Sequence, residues 1–282
     1  MSAVTRRVAM MFAASLSVAG RAAAAPPRRV VSLNPCLDTI LVHLADREQI
    51  AALSHYARQP SSSTIADAAA SFPFTYETAE EIVSRRPDLV LASRHSSLAT
   101  RRALERLGVQ VAEFAVPNTV AESVAQIREV AKLTDRTGRG EALVGKINAV
   151  LAAATPPAER RRIKALIFQP RGLVAGNGTL ADEMLKRTGF ENVASRYGVK
   201  RWGNLSIERL LADPPDLLLS ALAAPGARPW AERIIAHPAL GSIADRMRRA
   251  TFPEACLYCG GPVLLQTAPT LARARENYWA DA

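Results

Sequence analysis

Residues 80–91 read E-E-I-V-S-R-R-P-D-L-V-L, and residues 208–219 read E-R-L-L-A-D-P-P-D-L-L-L. At a constant offset of 128 positions, glutamate falls on glutamate, apolar pair on apolar pair and Pro-Asp on Pro-Asp. The apolar pair suits a helix lying on a sheet, and the proline stops that helix by pushing the preceding residue out of the α region. The apolar run after the aspartate suits a parallel strand covered on both faces. Two lobes of one α/β design follow.

Working outward, the same alternation continues on both sides. Strands are predicted at 28–33, 50–54, 89–92 and 109–114, with helices opening at Asp38 and covering 78–85 and 98–107. Helical spacing then fills 119–133 and 139–154, until Thr155-Pro156-Pro157 ends the run. Strand and helix alternation resumes with strands at 164–168 and 217–220 and helices at 180–187, 206–211 and 269–277. Strands alternating with helices imply largely parallel, Rossmann-like sheets. The expected division is 25–136 for the N-terminal lobe, 137–158 for a long bridging helix and 159–282 for the C-terminal lobe.

Residues 1–24 have the three parts of a secretory signal: Arg6 and Arg7, an apolar run from Val8 to Ala19, and small residues at Ala22, Ala23 and Ala24. Cleavage is expected near Ala24/Ala25. The run is shorter than the roughly 20 residues a spanning helix needs, and no cysteine follows it as a lipid attachment point. General secretion is expected, although Arg6-Arg7 is also a partial twin-arginine signal. The formal charge is +10, of which Arg6, Arg7 and Arg21 account for three, leaving +7 on the mature chain. That balance favours an anionic partner. The arginines are scattered without interleaved aromatics, so no nucleic-acid platform is expected.

As a set, several segments resemble the periplasmic substrate-binding proteins for cobalamin and iron-siderophores. They are R-V-V-S-L-N-P at 29–35, residues 80–92, L-E-R-L-G-V-Q-V at 104–111, N-G-T-L-A-D-E-M-L at 177–185 and N-L-S-I-E-R-L-L at 204–211. The resemblance implies two lobes joined by one long helix, with a cleft at the carboxyl ends of the strands, where open parallel sheets place ligands. It implies a corrinoid, ferric siderophore or haem as ligand, and delivery to an inner-membrane ABC permease with its ATPase. It further implies that Glu80 and Glu208, heading the two echoed segments, dock on permease arginines. Separated carboxylates on a rigid body orient and steer a protein at a basic surface. A monomer is expected.

The strand-end loops supply the candidate ligand contacts: Cys36, His55, Tyr56, Arg94, His95, Arg171, Asn177, Trp202, Tyr258 and Cys259. Aromatic rings give flat contact to a macrocycle or catecholate, and arginines pair with carboxylates in forked geometry. Trp202 is the leading candidate. No second histidine stands at ligand spacing from His55 or His95, so a hydrogen-bonding or surface role is expected of them rather than metal ligation. Three cysteines leave one unpaired in a monomer. The C-L-Y-C spacing of 256–259 makes a Cys256–Cys259 disulfide the first expectation; the second is that Cys36 and Cys259 meet across the cleft, at each other or at a bound metal centre.

Two rival readings fit less well. No G-x-S-x-G elbow, phosphate-binding glycine loop or paired catalytic carboxylates mark an α/β enzyme, so no catalytic residue is expected. A free Zn or Mn carrier needs several converging histidines and carboxylates, and this chain has four scattered histidines.

Overall fold

A computed structural model describes residues 25–169, 172–221 and 245–280. The leader at 1–24 and the candidate Arg171 lie outside the described residues. The N-terminal lobe runs β1 (Val30–Ser32), α1 (Pro35–Leu44), β2 (Ile50–Ser54), α2 (Ala66–Ala69), β3 (Phe74–Thr75), α3 (Ala79–Ser84), β4 (Leu89–Ser93), α4 (Leu98–Arg106) and β5 (Gln110–Phe114). Its sheet is parallel throughout, in the order β3-β2-β1-β4-β5. Every position of β1, β2 and β4 is buried, as strands covered on both faces require.

Helices α5 (Val120–Leu133) and α6 (Thr137–Ala153) follow, packed so closely that a Cβ at Gly140 would stand 2.6 Å from Ala131 Cβ. Their corner is tied to the N-terminal lobe by Asp46, which accepts from Arg136 and Arg139, and by Gln49 Nε2, which donates to Thr134 O.

The C-terminal lobe runs β6 (Ile163–Ile167), β7 (Leu173–Ala175), α7 (Leu180–Arg187), β8 (Phe190–Asn192), β9 (Trp202–Asn204), α8 (Ile207–Ala212), β10 (Leu217–Ser220), β11 (Arg248–Thr251) and α9 (Leu264–Ala280). Its parallel sheet has the order β11-β10-β6-β8, which is the order β5-β4-β1-β2 of the first lobe with equivalent strands substituted. The echo is therefore structural: α3-β4 and α8-β10 occupy the same place in each lobe. Of each apolar pair only the first member, Ile82 and Leu210, is fully buried. The strand before the echoed helix differs. β3 joins the first lobe's sheet edge, whereas β9 pairs antiparallel with β7 as a separate ribbon.

One core cluster takes residues from both sheets together with α5, α6 and α9, while the outer faces of the two sheets carry separate clusters. Arg275 Nη1, buried on α9, donates to Ala154 O and Thr188 O at the ends of α6 and α7. The bridging layer is thus clamped to both lobes.

Two expectations on helix limits are corrected. Helix α1 begins at Pro35 rather than Asp38, because Asn34 caps it, its side chain accepting from Cys36 N and Leu37 N. Helix α9 begins at Leu264, with Pro269 inside it rather than at its start. Burial of Leu264, Ala268, Leu271 and Ala272 outweighs an interior proline's cost of about 3 kcal/mol.

Candidate functional site

The start of α1, just past the carboxyl end of β1, in one lobe and the loop before α9 in the other meet at a disulfide between Cys36 and Cys259, 223 residues apart with Cα atoms 5.1 Å apart. This corrects the expected Cys256–Cys259 pair and bears out the alternative across the lobes. Cys256 ends the 3-10 turn Glu254–Cys256 and faces the interior among Met184, Leu264, Thr267 and Leu271, where its thiol is free. Burial raises its pKa, against a hydrogen bond with Thr267. Cys259 reaches Cys36 because Gly260 and Gly261 let the loop sit directly on the first lobe. Gly261 N donates to Ser123 Oγ, and a Cβ at Gly260 would run into that hydroxyl.

Beside the disulfide, Trp202 on β9 stacks on Tyr258, ring centroids 6.2 Å apart and planes 27° off parallel. Both remain partly open to solvent, at 44% and 38% exposure. Tyr258 Oη donates to Glu254 Oε1, and burial together with that carboxylate holds its pKa up. Arg201, next to Trp202, donates to Asn118 Oδ1 of the first lobe, and Glu183 Oε2 accepts from Val120 N, so polar contacts cross between the lobes there as well.

The first lobe has its own aromatic group. His55 and Tyr56 open the 3-10 turn His55–Arg58 at the end of β2, and the His55 ring lies 3.9 Å from Tyr56 and 5.0 Å from Tyr76. Tyr76 is 63% exposed, and His55 Nδ1 is buried with no hydrogen-bond partner among the described residues. Tyr76 is held by Glu81, whose Oε2 accepts from Tyr76 N and Thr75 Oγ1.

Beneath this turn Asp38, fully buried in α1, accepts from Ser54 N and Ser54 Oγ at the end of β2. Burial pushes its carboxyl up to about 7, against hydrogen bonds from Ser32 and Ser54 and with a smaller upward push from the Glu77 charge. Glu77, with φ of 70°, is itself raised by burial.

Of the other candidates, Asn177 lies two residues beyond Ala175, the register partner of Trp202. Arg94 and His95 are exposed beyond β4, and Asn177 is exposed in the turn before α7. Glu80 and Glu208 are exposed in the first turns of α3 and α8. Sequence reading missed Tyr76, Asp38 and the Arg201–Asn118 contact. For Tyr76 the alternation Phe74-Thr75-Tyr76 just before a capped helix was the available signal. For the others there was none. Among the described residues no group of three or more His, Cys, Asp or Glu side chains is arranged to hold a metal ion.

Known proteins share this fold. A family model described as periplasmic binding protein matches residues 30–244. A cobalamin-binding protein of Halobacterium salinarum is 24% identical over 203 residues, covering 70% of this chain and 55% of that one. The chain thus spans about half the length of the curated relatives it matches. The periplasmic heme-binding protein RhuT from Roseiflexus sp. RS-1, in apo form, is 26% identical with a TM-score of 0.74, covering 89% of this chain and 98% of that one. The periplasmic heme-binding protein BhuT, in complex with two hemes, is 25% identical with a TM-score of 0.72 over the same shares. The vitamin B12 binding protein BtuF of Vibrio cholerae shares the fold, at 17% identity and a TM-score of 0.65, covering 90% of this chain and 98% of that one. With its family model matched over most of its length, the chain belongs to the periplasmic binding protein family.

Proposed function

We propose that this protein is the substrate-binding component of an ABC importer, free in the periplasm after cleavage of residues 1–24. It holds a flat metal-centred macrocycle, haem or a corrinoid, between its lobes. The observation that carries this reading is that each lobe presents solvent-open aromatic rings on loops at its strand ends: Tyr56 and Tyr76 around His55 in one, and the Trp202–Tyr258 stack, next to Cys259, in the other. Stacked and tilted rings suit a planar apolar face. A net positive mature chain suits the carboxylates or phosphate of such a ligand. The similarity to heme-binding structures, and to a cobalamin-binding protein by sequence, leans the same way.

In this reading the loaded protein docks through Glu80 and Glu208 on a permease driven by a cytoplasmic ATPase, acts as a monomer and catalyses nothing. Closure is a small rotation, because the bridging layer is clamped to both lobes. The test is an intrinsic-fluorescence titration of residues 25–282 against haem, cyanocobalamin, cobinamide and a ferric siderophore. Saturable quenching at micromolar or lower haem or corrinoid is expected. Saturation by the siderophore alone replaces the macrocycle, and saturation by none overturns the ligand class.

A further inference from the structure

The C-x-x-C at 256–259 is left unexplained by ligand binding, and the structure gives it an unusual setting. Cys259 is already bonded to Cys36, so the motif holds one free thiol three residues from a disulfide sulfur. Both Cys256 and Cys259 line the same narrow cavity, walled by Ile167, Phe252, Leu257 and Leu264. A turn joins them, formed by the end of the 3-10 segment and the bend at Tyr258. Three residues across a turn is the separation at which C-x-x-C pairs close.

We propose that Cys256 is the resolving thiol of the inter-lobe link: it exchanges into the Cys36–Cys259 disulfide and unfastens the lobes without any external oxidant. Cys256 gives its proton to solvent and its thiolate attacks Cys259 Sγ. The Cys256–Cys259 bond forms, the Cys259–Cys36 bond breaks, and Cys36 leaves as a thiolate that takes up a proton. One disulfide and one thiol stand on each side of the reaction, so it is an isomerisation.

The fold sets the direction and the rate. In the folded state the thiol is shielded and held up in pKa, so the thiolate that attacks is scarce and the inter-lobe pair persists. Loosening of the 254–259 turn exposes the thiol and permits attack. Exchange tightens the loop that carries Tyr258, so it also alters the Trp202–Tyr258 stack. Through those two rings, a covalent event in the interior of one lobe reaches the surface that faces the other. The exchange needs only the three cysteines and stands whether or not the ligand is a macrocycle.

The experiment maps thiols in the oxidised chain, residues 25–282, held at about pH 9, near or above the ordinary thiol pKa. No thiol is added; samples are acid-quenched over minutes to hours, alkylated, proteolysed and weighed. Wild type is expected to lose label at Cys256 as it appears at Cys36, with one labelled thiol per chain throughout. Cys256→Ser is expected to label Cys36 at least about tenfold more slowly. Tryptophan fluorescence should change with the same time course in wild type only. Cys36→Ser, checked for native circular dichroism and treated with glutathione disulfide, should form the internal 256–259 bond. Label confined to Cys256 in wild type, or equal Cys36 labelling with and without Cys256, overturns the proposal.

Discussion

In the N-terminal lobe Asp38, in the first turn of α1, is fully buried and holds the end of β2 through Ser54. In the C-terminal lobe Asp182, in the first turn of α7, is buried and holds the end of β8 through Asn192. α1 follows the first strand of its lobe, α7 follows the first strand of its own with only β7 of the side ribbon between, and β2 and β8 each flank that first strand, so the two carboxyls fill one role in a duplicated design. Their surroundings differ. Asp182 also accepts from Gly178 N and pairs with Lys186 at 2.7 Å, whereas Asp38 has only hydroxyl and amide partners and a second carboxyl, Glu77, near by. One lobe has neutralised its buried charge, and the other has left a proton-binding group directly under an aromatic turn. The half that keeps the awkward carboxyl is the half that displays His55, Tyr56 and Tyr76.

The largest effect that bears on this pairing comes from the link between the lobes. Cys36→Ser closes no loop across 223 residues and is expected to cost about 3–5 kcal/mol in urea unfolding. Because one core cluster spans both lobes, a single transition should move down as a unit. Two separate transitions would mean that the lobes are independent despite that shared core.

Ile82→Ala and Leu210→Ala, equivalent under the echo and both 0% exposed, should each cost about 2–5 kcal/mol. Matching losses support the duplication at the level of packing, and a loss confined to one lobe breaks it.

The carboxyl contrast is the next in size. Folding raises Asp38 from 3.8 to about 7, so the folded state binds more protons between those values. The contribution of Asp38 to stability is therefore greatest below about pH 4, falls as pH rises to about 7 and is flat above, with an upper bound of about 4 kcal/mol. Asp38→Asn should remove that slope and gain about 2 kcal/mol at pH 8 in thermal melts run across pH. Lys186→Met, which leaves the buried Asp182 carboxylate without its ion-pair partner, should cost about 1–2 kcal/mol in the same melts.

The smallest difference lies in the helix caps. Thr78 Oγ1 accepts from Glu81 N at the start of α3, while Ser206 makes no side-chain cap at the start of α8. Thr78→Ala should cost about 1 kcal/mol and Ser206→Ala clearly less, measured by chemical denaturation.

How much of this was legible in the sequence follows from range. The echo, the buried strands and the long helices rest on local periodicity, and α7 and β2 fall where the pattern places them. The ribbon of β7 and β9 did not show, because three residues carry too little alternation to be read. The cysteine pairing misled for a related reason. Spacing made Cys256 and Cys259 look like partners, but tertiary burial turned Cys256 inward and brought Cys36 from the other end of the chain. The i,i+4 pairing of Asp182 with Lys186 is legible within its own helix, but no local pattern tells that either aspartate is buried.

The central claim is that both lobes hold the ligand. The most direct test compares haem and cyanocobalamin affinity, by absorbance titration, for wild type, Tyr76→Ala in one lobe and Trp202→Ala in the other, with native circular dichroism checked in each. The account expects each variant to weaken the same saturable binding by about fivefold to tenfold, as loss of a ring contact worth about 1–1.4 kcal/mol implies. Full affinity retained in both variants, or binding sensitive to one lobe alone, would contradict it.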